Sequence, residues 1–256
     1  MAVVLAGGCE WDGPRQGVRV VIAPTTESAA GSGGGRGAVG NAGESAGAPV
    51  VSMPPDDPPV PGGLEDRPGT FGVLDVPATV AVVGDSLTVA ATDEINDALS
   101  RIGVRAVILD GRESRRMAVG SRGLPSGVAA IEGILGERRP DLWVVALGTN
   151  DVGAAVDADR FRTDLRETLA MIPPRDPVVW VDVWIRDRHD DVVEANTVLH
   201  GELSRRSAPT VVVDWYSVGS IDGVITADGV HLTEAGQDRF ATEIADAVVT
   251  LAVAAD

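Results

Sequence analysis

The sequence predicts an α/β protein, a three-layer α/β/α sandwich of flavodoxin-like type with about five parallel strands. Three observations predict it. Short valine-rich runs, apolar on both faces, recur through the second part of the chain, as strands buried on both sides do. Between them lie stretches whose apolar residues return every three or four positions. The alternation is β-α-β-α throughout, which favours right-handed crossovers that place helices on both faces of one sheet.

The elements follow in order. Strands are expected at 79–83, 104–109, 142–147, 178–183 and 210–214. Leu87, Ala91, Ile95, Ala98 and Ile102 form one apolar stripe, so a single helix is expected after the first strand. Further helices are expected at 126–137, 158–171, 190–206 and 234–252. In such sheets ligands bind at the carboxyl ends of the strands, so the strand ends are where chemistry belongs.

Ahead of this region the composition is different. Residues 1–70 hold 15 of the 31 glycines and 9 of the 16 prolines, a density that buries too little apolar surface to offset chain entropy. The chain therefore divides into a flexible Gly/Pro-rich segment, 1–70, and a globular domain, 71–256. A run at 18–23 reads as an isolated strand with no core around it. Gly35-Arg36-Gly37-Ala38-Val39-Gly40 matches the dinucleotide pattern G-x-G-x-x-G but lacks the strand before it and the helix after it that the pattern needs.

Charge and composition exclude several function classes. The 256 residues carry a net charge of −17, which argues against nucleic-acid binding. All 21 basic residues are arginine, so lysine serves neither as Schiff-base former nor as phosphate ligand. Cys9 is the one cysteine, which excludes an intrachain disulfide and a cysteine-cluster metal site. No apolar stretch approaches the ~20 residues of a transmembrane helix. The histidines are His189, His200 and His231.

The strand ends carry the candidate chemistry. The first strand runs into Gly84-Asp85-Ser86-Leu87, which places Ser86 at a strand-to-helix turn, readable as a nucleophile or as a helix N-cap. The second ends in Leu109-Asp110-Gly111 and the third in Gly148-Thr149-Asn150-Asp151. Gly111 and Asn150 are either ordinary turn residues or the backbone and amide donors of an oxyanion hole. Before the last helix stands Asp228-Gly229-Val230-His231, where a carboxylate three residues from the imidazole can orient it. His189 and His200 fall in or beside a charge-rich helix and read as solvated surface residues.

Taken together, these blocks resemble the GDSL, or SGNH, hydrolase superfamily over roughly residues 79–250. The first block matches Gly84-Asp85-Ser86-Leu87, the second Gly111, the third Gly148-Thr149-Asn150-Asp151 and the last Asp228 to His231. The resemblance implies a Ser-His-Asp serine esterase with Ser86 as nucleophile, His231 as general base and then acid, and Asp228 as its orienter. It implies an oxyanion hole from the N–H groups of Ser86 and Gly111 and the Asn150 side chain, with Asp85 and Asp151 structural. No metal and no organic cofactor is implied. The α/β-hydrolases share the triad order, but their G-x-S-x-G elbow is absent, since Thr88 stands two residues after Ser86.

A further similarity, to SGNH domains of bacterial cell-wall O-acetyltransferases, lies in Val181-Asp182-Val183-Trp184-Ile185-Arg186, Glu194-Ala195-Asn196 and Val213-Asp214-Trp215-Tyr216-Ser217. It implies a short acyl group, acetyl included, on a glycan or envelope ester, either hydrolysed or transferred. Trp184, Arg186 and Arg112 are candidates for the substrate pocket, against core for Trp184 and solvated surface for the arginines, Arg115 and Arg116 among them. The alternatives are a lysophospholipase or thioesterase for longer chains and a non-catalytic surface binding module. With a histidine base, activity is expected to fall as pH drops through about 6.5.

The first residues leave two localisations open. Leu5-Ala6-Gly7-Gly8-Cys9 resembles a bacterial lipobox, with Cys9 as the lipid attachment and membrane tether of an envelope or extracellular protein. No basic residue precedes Cys9, and eight residues are fewer than a signal requires. If the start is genuine and no signal is used, the protein is cytoplasmic. We expect a monomer acting on a small-molecule or glycan ester.

Overall fold

The structure is a computed structural model, and it describes residues 18–21, 76–121, 123–153 and 157–254. Cys9, the G-x-G-x-x-G match and most of the 1–70 segment lie outside the described residues.

In chain order the elements are β1 (Val18–Val21), β2 (Thr79–Gly84), α1 (Ser86–Ala90), α2 (Thr92–Arg101), β3 (Ala106–Gly111), α3 (Gly127–Glu137) and β4 (Leu142–Ala146). Then come α4 (Thr149–Gly153), α5 (Ala158–Met171), β5 (Val178–Val181), α6 (His189–Leu203), β6 (Thr210–Val213), α7 (Trp215–Gly219) and α8 (Glu234–Ala254). The sheet order is β1-β6-β5-β4-β2-β3. Strands β2 to β6 are parallel to one another. Counting those five alone, the order is 2-1-3-4-5, the flavodoxin-like arrangement, whose switch point lies between β2 and β4.

The pleat divides the core into two layers. Along β2, Val80 and Val82 face one way, into a cluster with Ile95 and Leu99 of α2 and Phe240, Ile244 and Val248 of α8. Ala81 and Val83 face the other, toward Ile131 of α3, Phe161 and Leu165 of α5 and Leu199 of α6. The strands read as unbroken apolar runs because both of their faces are covered. Helix starts are supplied locally: the side chains of Ser126, Asp157 and Asp214 accept N–H bonds at the first turns of α3, α5 and α7.

Three expectations change. The run at 18–23 is not isolated. Its residues Val18–Val21 pair antiparallel with β6, Val18 opposite Val213 and Val21 opposite Thr210, and so cover an edge that β6 would leave open. The sheet therefore has six strands, five of them parallel.

The apolar stripe from Leu87 to Ile102 is continuous, but the helix under it is not. It breaks at Ala91 (φ −105°, ψ 24°), and the Thr92 hydroxyl takes up the carbonyls of Thr88 and Val89. The third change concerns the helix expected at 190–206. It begins one residue earlier, at His189, and ends at Leu203, where Ser204 caps it with its N–H on the His200 carbonyl at 3.0 Å.

Candidate active site

Ser86 opens α1 directly after β2, and Asp85 is the N-cap, its carboxylate accepting the Leu87 N–H at 3.0 Å. Ser86 is thus not the cap and its hydroxyl is free for other work. It is half-buried. Gly84 permits the tight turn beneath it, since a Cβ there would sit 1.8 Å from Thr88 Oγ1. Across the sheet Gly84 is in register with Gly111, whose own Cβ would press on the Val89 backbone N at 3.1 Å.

Asn150 lies in α4, at the end of β4. Gly148 makes the turn with φ +128°, a conformation that favours glycine, and a Cβ there would meet Val183 Cγ2 at 2.9 Å. The Asn150 amide donates to the Arg115 carbonyl at 3.1 Å and to Asp85 Oδ2 at 3.3 Å. One side chain therefore joins the β2, β3 and β4 ends around the switch point.

Asp85 is fully buried, and burial pushes its carboxyl up to about 6 against the opposing pull of the Leu87 N–H and of Thr149. The Asn150 amide and the charge of His231 pull it the same way as these bonds. Asp151 is also buried and is raised to about 7 by desolvation. Its two oxygens accept the Met117 N–H at 3.3 and 3.1 Å, and Arg116 stands 3.5 Å away. Asp85 binds its own turn as expected. Asp151 instead ties down a different loop, the one that follows β3.

The histidine and its acid stand on the loop between α7 and α8. His231 Nδ1 and Asp228 Oδ2 are 2.7 Å apart. The other carboxylate oxygen, Oδ1, accepts from the Thr226 hydroxyl at 2.7 Å, the Val230 N–H at 2.9 Å and the His231 N–H at 3.0 Å. These bonds, that of His231 first, hold the Asp228 carboxyl well below the usual carboxylate range, so it is an anion at neutral pH. An anion on Nδ1 fixes the tautomer and leaves Nε2 able to accept a proton. Both side chains are 52% exposed, so backbone, not core packing, sets their geometry.

The other candidates are placed as follows. Trp184 is half-buried, edge-on to Tyr216 with ring centroids 5.4 Å apart, and fills the space left by the missing Cβ of Gly219. Arg186 is exposed and donates to the carbonyls of Thr226 (3.2 Å) and Ala227 (3.3 Å), on the histidine loop. Arg112 is exposed, and its backbone N–H donates to the Gly84 carbonyl at 3.1 Å.

Two expectations are corrected. Arg115 is not a solvated residue: it is buried, donates to the carbonyls of Gly84 (3.1 Å) and Asp110, and pairs with the Asp110 carboxylate at 2.7 Å. His200 is not solvated either. Its Nε2 lies 3.2 Å from Asp182 Oδ2, a carboxylate that burial raises and that must have a partner. His189 is on the surface as expected, its Nδ1 2.8 Å from the Tyr216 hydroxyl.

Sequence reasoning missed Thr226, Arg115 and the Arg186 bonds. A threonine two residues before Asp228 is a readable turn signal. A buried arginine within Arg115-Arg116 carries no signal that separates it from its exposed neighbour.

No family model matches the chain, and no curated protein matches it by sequence. Solved structures do match it in fold. TesA is 19% identical, with a TM-score of 0.55 over 68% of this chain and 99% of its own. The C-terminal catalytic domain of the Streptococcus pneumoniae peptidoglycan O-acetyltransferase A is 19% identical, with a TM-score of 0.53 over 69% and 95%. Est24, a carbohydrate acetylesterase from Sinorhizobium meliloti, is 16% identical, with a TM-score of 0.55 over 68% and 99%. The chain has the fold of these proteins.

Proposed function

We propose that this protein is a serine esterase of the SGNH type that hydrolyses or transfers a short acyl group, acetyl foremost, on a glycan or envelope ester. Two observations support the reading. The Ser86 turn is tied to Asn150 through Asp85, and the Asp228–His231 pair is closed at 2.7 Å on the loop between α7 and α8. Neighbours of the same fold include a carbohydrate acetylesterase and a peptidoglycan O-acetyltransferase domain, which supports the glycan acetyl ester.

The chemistry is two-step acyl transfer. Ser86 Oγ attacks the ester carbonyl carbon as His231 Nε2 takes its proton. The oxyanion is met by the N–H groups of Ser86 and Gly111 and by the Asn150 amide, whose longer bond, to Asp85, is the one exchanged. The alcohol leaves with the proton from His231. Water, or a second alcohol, repeats the cycle on the acyl-enzyme and frees Ser86. The residues need no metal or organic cofactor for any of these steps.

The test is a panel of nitrophenyl esters and O-acetylated glycans, with and without a sugar acceptor, read by product mass. A maximum at two to four acyl carbons and release of acetate are expected. A maximum at long chains favours the lysophospholipase or thioesterase reading. Full activity in Ser86→Ala would overturn the serine mechanism. Among the described residues no helix is long and apolar enough to cross a membrane. An envelope location through Cys9 is proposed with the glycan substrate and is checked by lipid labelling of Cys9→Ser beside the parent.

A further inference from the structure

We infer that Arg186 is a positioning residue, a clamp that holds the Asp228–His231 loop from the neighbouring strand end; the inference rests on the triad reading above. The loop has a specific need for one. Its acid and base are each half exposed, so no core contact fixes them. The loop closes on itself through Thr226 N–H to the His231 carbonyl at 2.8 Å and Gly229 N–H to the Thr226 carbonyl at 3.1 Å. Those bonds shape the loop, and Ile225, Val230 and Leu232 seat its flanks on the core, but none of these contacts anchors the turn from Thr226 to Asp228.

Arg186 does. Its backbone N–H donates to the Gly229 carbonyl at 3.0 Å, and its guanidinium donates to the carbonyls of Thr226 and Ala227, immediately before Asp228. Three links thus cross from one residue to the turn that carries the pair. Gly229 completes the fit: with φ +80° it favours glycine, and a Cβ there would lie 2.8 Å from Arg186 Cβ.

The segment behind Arg186 is rigid. Asp182 accepts the Tyr216 N–H at 2.7 Å. The Asn196 amide brackets Val183, accepting its N–H and donating to its carbonyl, both at 2.9 Å. Trp184 sits in the Gly219 slot and Ile185 is buried. The strap therefore has a fixed base and an exposed tip. A guanidinium suits the tip because its planar fork reaches two adjacent carbonyls at once, which an ammonium does not.

The test uses the full chain, with Arg186→Ala and Arg186→Lys beside the parent and Ser86→Ala. Amide hydrogen exchange at Gly229, Val230 and His231 is followed by NMR, and kcat and KM are measured on an acetyl ester. In Arg186→Ala, exchange is expected to quicken about tenfold or more as the loop opens locally. In the same variant kcat falls about ten- to a hundredfold through lost alignment, with KM within about twofold. Arg186→Lys falls between. Unchanged exchange and kcat in Arg186→Ala overturn the inference, as does a rise in KM with kcat preserved, which would make Arg186 a substrate ligand. Should Ser86→Ala keep the parental rate, the triad reading fails, and exchange still decides whether Arg186 holds the loop.

Discussion

Asn150 shows at the scale of one residue how structure and chemistry are joined. Its amide already has two partners, the Arg115 carbonyl and the Asp85 carboxylate, so it needs no substrate to hold its orientation. An oxyanion therefore meets an amide held in place by the Arg115 carbonyl, and only its longer bond, to Asp85, is given up for the new one. Asn150→Ala is expected to lower kcat by about 10²- to 10³-fold with KM little changed, measured by steady-state kinetics on a nitrophenyl acetate. A loss confined to KM would remove Asn150 from the oxyanion hole.

At the scale of elements, glycines separate two kinds of position that look alike in the sequence. Gly148 joins β4 to α4 with φ +128° and Val183 pressed against it, whereas Gly133 lies inside α3 with nothing within 4 Å of an added Cβ. Gly148→Ala is expected to destabilise the fold by about 1–3 kcal/mol and to lower kcat, because α4 carries Asn150. Gly133→Ala is expected to stabilise it by roughly 0.5–1 kcal/mol with kcat unchanged. Urea unfolding and one kinetic assay on each variant check both. The same contrast explains what was legible beforehand. Strands buried on both faces and helices with an apolar stripe are written in the pattern, and the expected bounds of α3 and α5 fall within a residue of those observed. Breaks and pairings are not. The stripe over α1 and α2 passes through Ala91 unbroken, because packing needs only the side chains in line and the backbone turns beneath them. The short helices α4 and α7 have too few residues to show a period, although one carries Asn150. The candidates Ser86, Asp228 and His231 stand out in the sequence because local spacing defines each motif. Arg115, His200 and Arg186 depend on partners 5 to 41 residues away, which no local pattern records.

At the scale of the whole molecule, the two buried carboxylates at the site govern how stability follows pH. Asp85 and Asp151 are raised to about 6 and about 7 in the folded protein, in both cases chiefly by burial. Unfolded, each titrates near 3.9, so between pH 4 and 7 the native state binds the extra protons. Stability is then highest below pH 4 for these two groups and is lost as pH rises through 6 and 7. Asp228 is shifted the other way, and its contribution is lost only below the ordinary carboxylate range, outside this window. Melting temperature is therefore expected to fall as pH rises from 5 to 8, by an amount on the order of 1 kcal/mol or more in stability for each carboxylate. Asp151→Asn keeps an acceptor for the Met117 N–H and removes one titration, so its melting temperature should vary less over the same range. The catalytic rate runs in the opposite direction, because a histidine base must lose its proton to work. Thermal melts and kcat/KM on the same samples at pH 5, 6, 7 and 8 should thus give curves of opposite slope. A melting temperature that rises with pH in the parent, or an unaltered slope in Asp151→Asn, would show that Asp151 is not held protonated by the fold.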